Sequence, residues 1–188
     1  MKKQKYKTPI IKAVNVVKMG GVIAYPTEGV FGLGCDPFNE IAVNKILHLK
    51  HRSATKGLIL IASKTEQIAN LIAPTNLELL TNLLKEQTSP TSWVLPATSA
   101  VPRWITGNHN SVVIRITNHP VAYDLCDVYG GPLVSTSANI EGMIPAHNAL
   151  EVKNYFPSGI DFIIDSDIGN LNRPTIIKDA LTGKILRS

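Results

Sequence analysis

The stretch KHRSATKGLILIA, residues 50–62, joins a cluster of positive charges to a run of aliphatic side chains. Its second half, residues 58–62, is short and continuously apolar, which predicts a central strand buried on both faces of a sheet. Its first half predicts a turn between a helix and that strand. We therefore expect a basic turn held close to the core of an α/β protein.

Apolar strands alternate with amphipathic helical segments along the rest of the chain, as in an α/β fold. Helices are predicted over residues 9–19, 39–49, 76–86, 119–129 and 148–155. Further strands are predicted over residues 22–25, 92–95, 112–116, 133–135, 162–164, 175–178 and 184–187. The last two strands can pair through the turn at residues 181–183, so the sheet is expected to mix parallel and antiparallel strands.

The second predicted helix and the segment before it carry more detailed expectations. Asn39 is expected to cap the helix, with Ile41, Ile46 and Leu49 facing inward. Residues 25–37 are rich in glycine and proline, which predicts a loop after a buried strand. Such loops bind ligands in open α/β sheets, and Thr27 offers a hydroxyl there. The alternative, favoured by this segment alone, is a purely structural loop.

Composition indicates one globular domain over residues 1–188. The net charge is +5, and five lysines within the first twelve residues supply as much. Residues 1–8 therefore predict a basic N-terminal tail, while the remaining charges balance and argue only weakly for nucleic-acid binding. No apolar run reaches the length of about 20 residues that a membrane helix needs, and no signal-peptide core follows the lysines. We expect a cytoplasmic protein.

Lys50, Arg52 and Lys56 form the cationic part of the basic turn. An arginine fork and two lysine point charges suit a polyphosphate. The alternative is an ordinary solvated turn, the commonest role of such a cluster. The abrupt entry into the buried strand favours a phosphate site, because it ties the cations to a strand end.

Two other segments contain polar groups beside apolar strands. The run STSAN, residues 135–139, follows a short apolar strand, and its hydroxyls and amide predict a ligand loop. A helix cap or an Asx turn is the alternative. Arg115 lies inside an apolar strand, where a charge needs a partner. A structural salt bridge and a bound carboxylate both satisfy this requirement, and the sequence leaves the choice open.

Several familiar sites are missing from the sequence. The five histidines do not form an H-E-x-x-H pattern, and the two cysteines do not form a metal cluster, so no protein-held zinc is expected. The dinucleotide and P-loop glycine patterns are also missing.

Three motifs in order carry a resemblance to a known family. They are YPTE with FGLG (residues 25–28 and 31–34), K-x-R with KGL (residues 50–58), and STSAN (residues 135–139). Together they resemble the YrdC/TsaC family of L-threonylcarbamoyladenylate synthases, in its short single-domain bacterial form. The resemblance implies an open, twisted mixed sheet with flanking helices around a basic cavity.

The resemblance also implies a reaction and its participants. L-threonine, bicarbonate and ATP would give threonylcarbamoyl-AMP and pyrophosphate, for the N6-threonylcarbamoyladenosine (t6A) modification of tRNA. Mg²⁺ would bind through the ATP phosphates. Downstream partners would be a threonylcarbamoyl transferase machinery of the TsaD/TsaB/TsaE type, with a tRNA contact and no membrane.

Site residues follow by matching motifs. Lys50 and Arg52 would be catalytic. ATP would be bound by Lys50, Arg52, Lys56, Ser137 and Asn139. L-threonine would be bound by Thr27, Arg115, Ser135 and Thr175, with Arg115 on its carboxylate.

The chain departs from the family pattern at Ser89, Ser92, Glu141 and Pro174. Glu141 adds a negative charge near the implied nucleotide. One rival interpretation is a non-catalytic module that binds double-stranded RNA or tRNA in the same basic cavity. Another is a carbamoyl-transfer domain detached from a hydrogenase-maturation protein of related fold.

Overall fold

The computed structural model describes residues 8–171 and 174–187. The predicted basic tail lies outside these residues except for Thr8, which begins the first helix. The helices are α1 Thr8–Lys18, α2 Glu40–Leu49, α3 Pro74–Glu86, α4 Arg103–Thr106, α5 Pro120–Tyr129 and α6 Ala149–Tyr155. The strands are β1 Ile23–Pro26, β2 Phe31–Gly34, β3 Ile59–Ala62, β4 Thr91–Pro96, β5 Ser111–Ile116, β6 Leu133–Ser137, β7 Phe162–Ile163, β8 Ile176–Asp179 and β9 Ile185–Arg187.

All of these strands join one mixed sheet in the order β7-β1-β2-β6-β3-β5-β4-β8-β9. The pairs β1–β7, β3–β5 and β4–β8 are parallel, and the other neighbours are antiparallel. The final hairpin forms as the turn at residues 181–183 predicts. The α/β class and the mixed sheet are confirmed.

The central strand β3 separates two apolar cores. Leu60 packs into the core that includes Ile46 of α2 and Leu80 of α3. Ile61, on the opposite face, packs with Val14 of α1 and Leu125 of α5. Alternate side chains of one strand thus enter different cores, which confirms a strand buried on both faces.

Two detailed expectations were wrong. Phe31–Gly34, predicted as loop, is a strand that pairs antiparallel with β1 after a tight turn, in which the Thr27 amide and hydroxyl both donate to the Val30 carbonyl. In α2, Asn39 caps the helix through the Ala42 amide as predicted, but Ile41 is 82% exposed. Ile41 and buried Ile46 are five residues apart, or about 140° around a helix, so they cannot share one face.

Both cysteines are buried as free thiols, Cys35 beside the core of α2 and Cys126 beside that of α1 and α5. Burial raises the pKa of both thiols, which keeps them protonated. In the described part of the chain, no helix has the length and apolar character needed to cross a membrane.

Replacing Gly34 with alanine is expected to destabilise the sheet by about 1–3 kcal/mol through overpacking. A Cβ at this position would lie 2.6 Å from the Val134 carbonyl oxygen and 2.7 Å from the Tyr25 ring. Urea unfolding measures the effect. Gly131→Ala is the control, because its Cβ would meet only ordinary contacts, the nearest at 3.5 Å. Equal stability losses in the two variants would contradict this account.

Candidate active site

One cavity of about 770 Å³, counting its open mouth, lies against one face of the sheet, where alternate residues of β5 and β6 (Val113 and Arg115, Ser135 and Ser137) line it. Seven of the nine residues assigned to the site by the resemblance line it: Thr27, Arg52, Lys56, Arg115, Ser135, Ser137 and Thr175. Sheet order explains their meeting. β6 pairs with β2 on one side and with β3 on the other, and β5 follows β3. Residues far apart in sequence therefore face one space.

Arg115 lies at the inner wall of the cavity, 6% exposed. Its Nη1 donates to the Thr175 hydroxyl at 3.0 Å and its Nη2 to the Ser135 hydroxyl at 3.4 Å. The buried Glu28 carboxylate lies 3.4 Å from Nη2 and accepts a hydrogen bond from Thr117. The two roles left open for Arg115 are thus compatible, since it forms a buried salt bridge and also borders the cavity.

The hydroxyl residues of the STSAN motif lie inside β6 rather than in a loop after it. Ser137 stands opposite Gly32 of β2, and Ser135 stands opposite Ile59 of β3. Both hydroxyl residues line the cavity. A bare glycine at position 32 keeps this wall open, because a Cβ there would lie 3.5 Å from the Ser135 hydroxyl and 3.2 Å from the Thr27 methyl.

Backbone contacts with the segment around α4 hold the basic turn in place. The Leu58 amide donates to the Ile105 carbonyl, and the Asn108 amide donates to the Thr55 carbonyl. Gly57 has φ +66°, a conformation that suits glycine, and Arg52 donates from Nη2 to its carbonyl at 3.0 Å. The turn is therefore packed against the body of the protein, which places Arg52 and Lys56 at the cavity.

Lys50 occupies a different place from the one predicted for a phosphate ligand. It is 2% exposed and is not among the described residues that line the cavity. Its ammonium donates to the Ser137 carbonyl, to the Asn139 carbonyl at 2.8 Å and to the Asn139 side-chain oxygen at 3.2 Å. Burial, followed by the nearby Arg52 charge, lowers its pKa to about 8, while the three oxygen acceptors around the nitrogen favour the charged ammonium. Lys50 joins the end of α2 to the end of β6.

Asn139 likewise turns inward. Its side-chain oxygen accepts from the Ser137 hydroxyl at 2.6 Å, and its side-chain nitrogen donates to the Ile140 and Met143 carbonyls. These bonds close the loop after β6, in keeping with the Asx-type alternative. In this structure the Asn139 amide orients Ser137 rather than facing the cavity.

Arg187 is a cavity residue that the sequence reasoning missed. It lies in β9 at the rim and donates from Nη2 to the Thr175 carbonyl at 2.8 Å. Partial burial and then the charges of Arg115 and Arg52 lower its pKa, as expected for cations that share a space. The sequence did contain a signal for Arg187, because the predicted β8–β9 hairpin places it opposite Ile177, near Thr175.

The described lining therefore contains four cations (Arg52, Lys56, Arg115 and Arg187), several hydroxyls and no carboxylate. Such a lining suits an anion with many oxygens. Three departures from the family pattern meet it, and one of them, Pro174, is itself part of the lining. Ser92 shares a 3.0 Å hydrogen bond with the Thr175 hydroxyl, and Glu141 lies 2.5 Å from the Lys56 ammonium.

Within residues 8–171 and 174–187, no group of three or more His, Cys, Asp or Glu residues could hold a metal ion.

Comparison with known proteins gives consistent matches over nearly the whole chain. The Sua5/YciO/YrdC family model, described as "Telomere recombination", matches residues 15–188. The threonylcarbamoyl-AMP synthase of Coxiella burnetii strain RSA 493 is 46% identical over 182 residues, which are 97% of this chain and 98% of the relative. That of Halorhodospira halophila is 46% identical over 175 residues, 93% and 92% of the two chains. Among solved structures, P. abyssi Sua5 complexed with L-threonine is 32% identical with a TM-score of 0.82, and covers 90% of this chain and 50% of that one.

Replacing Lys50 with methionine is expected to lower the free energy of unfolding by about 1–3 kcal/mol or more, because buried oxygens lose their donor. Guanidinium unfolding followed by circular dichroism measures the change. Lys153→Met is the control, since Lys153 is exposed on α6, and its effect is expected to stay within about 0.5 kcal/mol. A fully stable Lys50→Met protein would show that the buried oxygens do not need the Lys50 ammonium, which would then be free to bind phosphate.

Proposed function

This chain belongs to the Sua5/YciO/YrdC family, and from that membership we propose that it is an L-threonylcarbamoyladenylate synthase. The substrates are L-threonine, bicarbonate and ATP, and the products are threonylcarbamoyl-AMP, pyrophosphate and water. The observation that carries the proposal is the single cavity in which Arg115 and three hydroxyl residues stand beside Arg52, Lys56 and Arg187. One side suits an amino acid, and the other suits a triphosphate.

The amino-acid side of the cavity contains the Arg115 guanidinium. Its bonds to Thr175 and Ser135 and its contact with Glu28 fix the plane of the fork before any ligand arrives. A planar fork binds a carboxylate through two parallel hydrogen bonds. Thr27, Ser135 and Thr175 surround this position, so their hydroxyls serve the threonine.

The nucleotide side must overcome repulsion between two anions. The threonine amine attacks the carbon of bicarbonate or CO₂, and a carbamate oxygen then attacks the α-phosphorus as the bond to pyrophosphate breaks. Two unit charges 4 Å apart repel by about 1 kcal/mol in water and about 4 kcal/mol near a protein surface. Arg52, Lys56 and Arg187 screen this repulsion and stabilise the charge that grows on pyrophosphate. Ser137, in the same lining, serves the phosphates through its hydroxyl.

Lys50 and Asn139 are positioning residues in this proposal. Both hold the end of β6, and Asn139 accepts the hydroxyl hydrogen of Ser137. They therefore position the nucleotide side of the cavity. Arg52, with its guanidinium at the cavity, remains the candidate for direct phosphate contact.

Mg²⁺ belongs to the ATP in this proposal. The described lining has no carboxylate, so the ion would be held by phosphate oxygens and water, as Mg²⁺ commonly is. Its chemical contribution is neutralisation of phosphate charge.

The proposal places the reaction in the cytoplasm, at the start of tRNA t6A formation. The product passes to a threonylcarbamoyl transferase machinery of the TsaD/TsaB/TsaE type, which delivers the group to tRNA. A tRNA contact on this chain belongs to the same proposal. The rival role, a non-catalytic module for double-stranded RNA or tRNA, predicts RNA binding without ATP turnover.

Arg52→Ala is expected to lower kcat/KM for pyrophosphate release by about 10²–10³-fold, the size found when one donor to a developing charge is lost. The assay measures pyrophosphate from ATP and bicarbonate, with and without L-threonine. The matched control is Arg103→Ala, an exposed arginine outside the described cavity lining. Release that does not depend on L-threonine, or equal rates in the two variants, would contradict the proposal.

Arg115→Leu is expected to weaken L-threonine binding at least about tenfold more than ATP binding, because the carboxylate loses its fork. Isothermal titration of each ligand measures both affinities. This change also leaves Glu28 unpaired in the core, which is destabilising. Arg115→Lys keeps the charge and is expected to lose threonine affinity with less damage to the fold. Equal losses for the two ligands in a folded variant would show a structural role only.

A further inference from the structure

An ion pair joins a cation of the cavity lining, Lys56, to Glu141, which is not itself among the described lining residues. Glu141 lies in the loop after β6, and its amide donates to the Lys50 carbonyl at 2.9 Å. Its carboxylate reaches across to Lys56, with 2.5 Å between Oε1 and Nζ. The two residues belong to the two segments, residues 50–57 and 137–141, that face each other at the cavity.

This pair is placed to exchange partners. The side chains of Lys56 and Glu141 are 54% and 35% exposed, so water and dissolved ions reach both. Exposed ion pairs contribute little to stability and are screened by salt. The Arg115–Glu28 pair differs in this respect, because both of its side chains are 7% exposed. The hydrogen bond from Lys56 also holds the pKa of Glu141 below its usual value, so the carboxylate is charged at neutral pH.

We propose that Glu141 determines the affinity for ATP by occupying Lys56 in the free protein and yielding it to a phosphate of the bound nucleotide. A carboxylate oxygen and a phosphate oxygen are alternative acceptors for the same ammonium. The triphosphate wins because it carries more charge and because Arg52 stands in the same lining. This inference rests on the proposed function, since it assumes that the cavity receives ATP.

The exchange affects both the binding of ATP and the release of pyrophosphate. Before ATP binds, Glu141 occupies the Lys56 ammonium. During binding, the nucleotide must displace the carboxylate, which lowers its net affinity. After the reaction, Glu141 competes with pyrophosphate for Lys56 and assists its release.

The test compares ATP binding by Glu141→Gln and the unchanged protein. Titration calorimetry with Mg²⁺-ATP, without L-threonine or bicarbonate, measures Kd. Glutamine keeps the size of the side chain and removes its charge, so Kd is expected to fall about two- to fivefold, the range of an exposed ion pair. The difference is expected to shrink at high ionic strength, and the KM for L-threonine is expected to stay unchanged. Glu78→Gln, an exposed change on α3, is the control and leaves Kd unchanged.

A second experiment, in Lys56→Gln protein, tests whether Glu141 changes the affinity for ATP through Lys56. In Lys56→Gln protein, adding Glu141→Gln is expected to leave Kd for ATP unchanged, because the competitor has lost its target. An equal gain in that background would mean direct repulsion of ATP and would overturn the proposal, as would an unchanged Kd for Glu141→Gln alone. If the unchanged protein binds ATP but releases no pyrophosphate with L-threonine and bicarbonate, the proposed reaction fails while the Glu141 comparison remains valid.

Discussion

The buried Lys50 ammonium is the interaction on which the geometry of the cavity depends. A charge that is 2% exposed requires acceptors, and the oxygens of Ser137 and Asn139 supply them. This requirement fixes the distance between the end of α2 and the end of β6. Arg52 and Lys56 lie two and six residues after Lys50 in the same basic turn, and Ser137 is itself one of its partners. The spacing of the two sides of the cavity thus follows from satisfying one cation.

Arg115 shows the other use of a buried charge. Its Nη2 contacts the Glu28 carboxylate and the Ser135 hydroxyl, its Nη1 donates to the Thr175 hydroxyl, and it still borders the cavity. Partners that fix its orientation reduce the ordering that a ligand must impose. The hydrogen bonds of the Lys50 ammonium go to protein oxygens, whereas the Arg115 guanidinium is oriented by its partners and still borders the cavity. The two roles cannot be told apart by residue type, since both depend on where the surrounding oxygens point.

The sequence predicted most elements because their apolar patterns are strong, as in the continuous aliphatic run of β3. It missed β2 because FGLG alternates apolar residues with glycines, which lower strand propensity. Gly34 is required by close packing against Tyr25 and the Val134 carbonyl, and Gly32 lies tightly against Thr27; these are tertiary facts that no local pattern contains. The inward direction of Asn139 was equally hidden. Arg187, in contrast, could have been found by carrying the hairpin register one step further.

The position of β6 in the sheet has a consequence for how the chain folds. β6 lies between β2 and β3, which both precede it by many residues, so each presents an unpaired edge until β6 arrives. Pairings between distant segments form slowly, and exposed edges invite association with other chains. Ser135 and Ser137 both lie on β6. Insertion of β6 therefore closes the sheet and completes the wall of the cavity in one event, and a nascent chain that lacks it has neither.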